Sequence, residues 1–197
     1  MIADFSVFGP FCQLPAIGPR KCCHDVGWRR VISTGPLPSA GSQNFEHRTY
    51  KPTNWITTIV DKSRDVYDTE NGFLRLNQYT NGSNVKGISV ETGQPVMLFV
   101  PIKKGQFATI SYFLPPGVDA PKPLISNVFH ETFTEVSLYI RTLQRSAVDS
   151  DIYRLGNILQ KMLISQKKSF DGSFIGCCLY DGPDKSSRHI EVFFMAI

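Results

Sequence analysis

Nothing in this sequence stays apolar for the roughly 18–20 residues that a membrane-spanning helix needs. The first ten residues show no basic segment leading into an apolar run, so no secretory leader is expected either. Charge is scarce, with Asp, Glu, Lys and Arg at 19% of 197 residues, against about a quarter in ordinary domains. The surplus of +4 sits in isolated doublets, Arg29-Arg30, Lys103-Lys104 and Lys167-Lys168, rather than in a stripe. That pattern argues against nucleic acid as a partner. Catalytic signatures are missing as well: no HExxH, no GxSxG and no glycine-rich phosphate loop. Internal repeats and low-complexity tracts are also absent from the sequence pattern.

The five cysteines include no CxxC pair. Cys12, Cys22, Cys23, Cys177 and Cys178 form an odd set with two vicinal pairs, and read as reduced thiols acting as small hydrophobes. A zinc site from Cys22, Cys23 and His24 would need a spacing that structural zinc sites do not use. The carboxylates Asp61, Asp65, Asp68 and Glu70 lack the EF-hand spacing and read as solvated loop charges. No metal and no cofactor is expected from these residues.

What the chain does have is fourteen Phe, seven Tyr and 42% hydrophobic residues. A chain of this size buries enough surface for a core without staples. Residues 1–54 carry six prolines among apolar residues such as Phe5, Phe8, Phe11 and Trp28, and read as an extended N-terminal arm that packs on a surface, with one short strand over Trp28 to Ser33. Residues 55–197 read as one β domain. Expected strands are Trp55 to Val60, Phe73 to Thr80, Val85 to Val90, Val96 to Val100, Gln106 to Phe113, Phe133 to Leu143, Ser173 to Tyr180 and His189 to Ile197. Asn71-Gly72 and Asn81-Gly82 are the expected hairpin turns. The run Val96 to Val100 is apolar on both faces and marks a central strand. One segment, residues 149–166, has apolar residues three and four apart, which predicts an amphipathic helix. The fold class expected is therefore mainly β, an antiparallel sandwich of jelly-roll type with one helix and an extended arm.

Candidate functional residues are few. His130 stands beside Glu131, but neighbours on a strand point to opposite faces, so they would not meet as base and orienting acid. His130 and His189 are the residues an enzyme would use, although no catalytic residue is expected. Tyr79, Tyr112 and Tyr139 read as outward-facing and suited to ligand contact, with Lys103 and Lys104 as a rim.

The segment Tyr67 to Tyr112 resembles the β-sandwich modules at phage tail-fibre tips. Asn71-Gly72-Phe73-Leu74 matches the opening of that pattern, and Val100-Pro101-Ile102-Lys103-Lys104-Gly105-Gln106 its second half. The apolar close, His189 to Ile197, is similar to the modules' last strand. The resemblance implies a virion structural or attachment protein. Such a protein would be a homotrimer, bound to other virion subunits or to a host surface glycan. A cellular C1q-like or carbohydrate-binding module is the alternative.

Overall fold

A computed structural model describes residues 31–32, 45–60, 62–63, 66–102, 107–144, 150–180 and 189–197. Nine strands hydrogen-bond into one antiparallel sheet. They are β1 (Val31–Ile32), β2 (Glu46–Tyr50), β3 (Thr53–Val60), β6 (Gly93–Pro101), β7 (Ala108–Leu114), β8 (Val128–Phe133), β9 (Val136–Gln144), β10 (Phe174–Tyr180) and β11 (His189–Met195). Strands β4 (Lys62–Ser63) and β5 (Val66–Tyr67) pair separately. Among the described residues there are two helices, α1 (Thr69–Thr80) and α2 (Ser150–Ser165). The mainly antiparallel β class and the amphipathic helix α2 are as the sequence predicts. The nine strands form one sheet, and helices rather than a second large sheet provide the other layer.

The sheet order is β1-β2-β9-β11-β10-β6-β7-β3-β8. A repeat invisible in the sequence lies inside it. The units β3-α1-β6-β7 and β9-α2-β10-β11 have the same element order, and each lays its strands outward from the centre in the same sequence. They meet where β6 pairs with β10, Val100 opposite Ile175 and Leu98 opposite Cys177.

Chain connectivity forces the sheet to curl. Strands β2 and β3 lie six places apart in the sheet. Flat, that would be roughly 29 Å at ordinary strand spacing. Yet only Lys51 and Pro52 join them, a reach of at most about 11 Å. The sheet therefore bends into a partly closed barrel with an inside and an outside. Alternation assigns residues to each. Outside, under α1 and α2, lie Ile56, Leu98, Ile110, Ile175, Cys177 and Val192. Inside lie Trp55, Met97, Phe113, Ile140, Cys178 and Phe193. Cys177 and Cys178 thus point to opposite faces, and both are buried.

Several segments depart from expectation. Phe73 to Thr80 is helix, not strand. Asp68 caps α1 by accepting a hydrogen bond from the Asn71 backbone N–H, and Gly72, Leu76 and Tyr79, at helical spacing, are its buried face. Alternation of Leu74 and Leu76 with Arg75 and Asn77 imitated a strand, but Leu74 is 53% exposed. Asn71-Gly72 lies in the first turn of α1, while Asn81-Gly82 ends it, with Gly82 at φ +109. Residues 85–90 form a loop rather than a strand. Buried Asn84 holds it, donating to the Tyr79 and Ile88 carbonyls and accepting from the Lys86 and Ile88 N–H groups. Residues 46–50, assigned to the arm on proline content, are a sheet strand paired with β9. Cys22, Cys23 and His24, weighed and set aside as zinc ligands, lie outside the described residues, as do all of residues 1–30 and 33–44.

Gly156 is where α2 comes closest to the sheet. A Cβ there would stand 2.7 Å from Cδ1 of Ile175. By helix propensity alone, Gly156→Ala would gain about 1 kcal/mol. Overpacking against Ile175 reverses the sign, and we expect a loss of about 1–3 kcal/mol. Asn157→Ala, exposed on the same helix, should change stability by no more than about 0.5 kcal/mol. Urea unfolding of the two variants checks this; a stabilised Gly156→Ala would contradict the close approach.

Candidate functional site

The barrel interior holds a polar layer and, beside it, an aromatic pocket. Glu191 is the centre of the polar layer. Only 4% of it is exposed, and a buried carboxylate needs partners. Arg48 Nη1 donates to Glu191 Oε1 at 2.7 Å, His189 Nε2 lies 3.2 Å from the same oxygen, and the Tyr180 hydroxyl donates to Oε2 at 3.2 Å. Arg48 also donates to Glu46 Oε2 at 2.8 Å and to the Tyr50 hydroxyl at 3.2 Å. Burial acts to raise the Glu191 pKa, but the His189 hydrogen bond and the Arg48 charge outweigh it and hold it below 4.5. Burial likewise opposes the Arg48 charge, and the Glu46 and Glu191 carboxylates overcome it. Burial pushes the Tyr50 hydroxyl up. Glu191, Arg48, Tyr180 and His189 are bonded to one another around the buried carboxylate, so the layer reads as structural.

The pocket opens on the same interior face. It has a volume of about 280 Å³, and Phe99, Phe133, Phe174 and Phe193 form its walls, with Phe107 at the edge. Phe99 is the hub: its ring stacks on Phe133 at 5.9 Å and meets Phe174 and Phe193 edge-on at 6.3 and 5.6 Å. Gly176 lies opposite Phe99 in the β10–β6 register. Any side chain at Gly176 would run into the Phe193 ring, so this glycine leaves the ring its place in the wall. Trp55 stands behind Phe133, 6.3 Å ring to ring.

Two carboxylates interrupt the apolar wall, Glu131 and Asp171, both half-buried. Glu131 Oε2 accepts from the Thr57 hydroxyl at 2.9 Å. That hydroxyl has one proton, so its 2.9 Å contact with Ser111 requires Ser111 to donate. The relay thus runs Ser111 to Thr57 to Glu131 and ends on the carboxylate. Asp171 Oδ1 accepts from the Ser173 N–H at 2.8 Å.

The residues singled out from sequence lie elsewhere. Tyr79, Tyr112 and Tyr139 are 0%, 2% and 8% exposed, so none presents an outer face. All three belong to the core beneath the helices. The Tyr79 hydroxyl donates to the Pro121 carbonyl, so its 3.1 Å contact with His130 is a bond donated by Nε2. Burial lowers the His130 pKa. Tyr112 donates to Asn77 Oδ1, and His47 stacks on the Tyr139 ring at 4.8 Å. The tyrosines were expected outside from their assigned strand faces and loop ends; here each tip, or ring, has an internal partner. Lys103 and Lys104 lie outside the described residues. His130 and Glu131 do face opposite ways, as adjacent strand residues must. Sequence reasoning missed the pocket because four strands supply its phenylalanines. Gly176 inside a strand was the one local signal.

The profile of the SOUL heme-binding protein family matches residues 36–195. The chain belongs to that family. Among SOUL relatives, Heme-binding protein 2 of Homo sapiens is 28% identical over 86% of this chain and 84% of its own length. Heme-binding protein 2 of Mus musculus is 32% identical over 58% of this chain and 57% of its own length. Heme-binding protein 1 of Xenopus laevis is 27% identical over 82% and 90%. The crystal structure of the EcmrR C-terminal domain shares the fold, with a TM-score of 0.55 at 10% identity over 78% of this chain and 97% of that one. SOUL membership overturns the phage-fibre resemblance, and with it the virion location, virion subunits, trimer and glycan. The cellular C1q-like module and the histidine enzyme do not fit it either. Physically, the matched opening Asn71-Gly72-Phe73-Leu74 lies in α1 rather than in a strand. No helix among the described residues is long and apolar enough to cross a membrane.

The Arg48–Glu191 pair supports a double-mutant test. Arg48→Met leaves a buried carboxylate without its cation and should cost about 3–5 kcal/mol. Arg48→Met combined with Glu191→Leu should lie within about 1 kcal/mol of the parent. Because the folded Glu191 pKa is depressed, its contribution is present above pH 4.5 and is lost as pH falls through the folded value. Urea titrations between neutral and acid pH should show that slope in the parent and not in the double variant.

Proposed function

We propose that this chain is a binding protein, without catalysis, that takes the edge of a flat aromatic macrocycle of the tetrapyrrole class into the phenylalanine pocket. The observation that carries this reading is the wall of four phenylalanines around Phe99, at the mouth of a curled antiparallel sheet. SOUL membership supplies the class, since its named relatives are heme-binding proteins.

Heme asks three things of a site: an apolar slot for its ring, a soft or imidazole donor for its iron, and cations for its two carboxylates. The slot is present, though at about 280 Å³ it lies at the small end of the usual range of about 300–1,000 Å³ and admits an edge rather than a whole ring. For the iron, the lining offers only the Met195 thioether. His47, His130 and His189 are not among the lining residues. For the carboxylates, the lining has no Lys or Arg among the described residues. The described lining fits the ring's edge, offers the iron a lone thioether with no imidazole beside it and offers the acid groups no cation, so no role is assigned through iron.

Trp55, behind Phe133, is a built-in reporter. With Trp28→Phe isolating it, protoporphyrin IX and hemin should both quench its fluorescence, with dissociation constants agreeing within about threefold, because the iron adds no bond. Phe99→Leu should weaken both by about three- to tenfold, the value of an aromatic contact. Hemin binding more than about a hundredfold tighter, with the absorption spectrum of ligated iron, would overturn the reading.

A further inference from the structure

The charge of the pocket is opposite to that of the chain. The protein as a whole carries +4, yet among the described residues the charged side chains on the pocket wall are Glu131 and Asp171, with no Lys or Arg. Each carboxylate has one oxygen engaged by the protein, Glu131 through Thr57 and Asp171 through Ser173. The second oxygen of each has no donor among the described residues. The Ser111–Thr57 relay points its protons toward one oxygen of Glu131 and leaves the other facing away from it. Phenylalanine faces around Phe99 add a second attraction for positive charge, through their ring quadrupoles. An aromatic cavity with two half-free carboxylates matches a ring that carries positive charge or N–H donors, and it repels a ring whose entering edge carries carboxylates.

From this we infer that the pocket selects aromatic ligands by charge, taking a flat cationic or N–H-bearing ring in preference to an anionic one of the same shape. The inference rests on the pocket being the ligand site and sharpens that reading by naming the charge of what enters. Glu131 and Asp171 are the selecting residues, and Phe99, Phe133, Phe174 and Phe193 hold the ring whatever its charge.

The test uses two dyes built on one xanthene ring system: rhodamine 6G, a cation, and fluorescein, a dianion at neutral pH. Fluorescence anisotropy with the full chain should show rhodamine 6G bound at least about tenfold more tightly. Glu131→Gln with Asp171→Asn should bring the two dyes within about threefold, chiefly by weakening the cation. Should that variant unfold, the parent at rising salt gives a second readout, in which screening narrows the gap. Phe99→Leu should weaken both dyes together. Equal binding by the parent, with Phe99→Leu still weakening both, would overturn the charge selection and leave the pocket standing. Binding indifferent to Phe99→Leu, or none at all, would overturn both.

Discussion

Two residues, Lys51 and Pro52, join strands that sit on opposite sides of the sheet, and the architecture depends on that short link. A flat sheet cannot satisfy it, so the sheet bends until β2 and β3 come within reach of each other. Bending gives each strand an inside and an outside. The outside is covered by the two helices, one from each repeat of the strand–helix–strand–strand unit. The inside has no covering element among the described residues and must close with its own side chains. Trp55, Phe113, Phe193 and Ile140 do so over part of its length, and the Phe99 pocket is where the filling stops.

Two glycines set the spacing of these layers. Gly156 lets α2 settle on Ile175, and Gly176 lets the Phe193 ring lie against β10. One works on the helix side and the other on the interior side of the same strand. The pocket shape follows from this second close approach. The buried Arg48–Glu191 pair lies on the interior face two residues along β11 from Phe193, and its hydrogen bonds tie β2 to β11 across the intervening β9. It anchors the curl at the strand whose link to β3 demands it.

Much of the fold was legible in the sequence. The helical spacing of Ile152, Leu155, Leu159 and Leu163 identified α2, and the apolar run around Leu98 identified the central strand, because burial on one or both faces imposes those periods directly. Helix α1 was not, since Leu74, Arg75, Leu76 and Asn77 alternate like a strand while the deciding spacing is carried by Gly72, Leu76 and Tyr79. Strand β2 was hidden by the prolines around it, and the repeat by the divergence of its two copies. The candidate site was the least legible part. Phe99, Phe133, Phe174 and Phe193 each read as core on its own strand, and only strand order brings them together. Tyr79, Tyr112 and Tyr139 drew notice for their polar tips, which the fold uses internally or sets beneath the helices. SOUL-family membership came from neither composition nor spacing but from likeness over residues 36–195.

The most direct test of the central claim, that the ligand enters the aromatic interior and not the helix-covered face, uses three methionines. Met195 lines the pocket, Met97 lies deeper in the same interior, and Met162 is buried on α2, where Arg141 donates to its sulfur. With methyl-labelled methionine, proton–carbon NMR during addition of protoporphyrin IX reads ring-current shifts at all three. The account predicts a large shift at Met195, a smaller one at Met97 and none at Met162. A shifted Met162 beside an unmoved Met195 would place the ligand against the helices and contradict it.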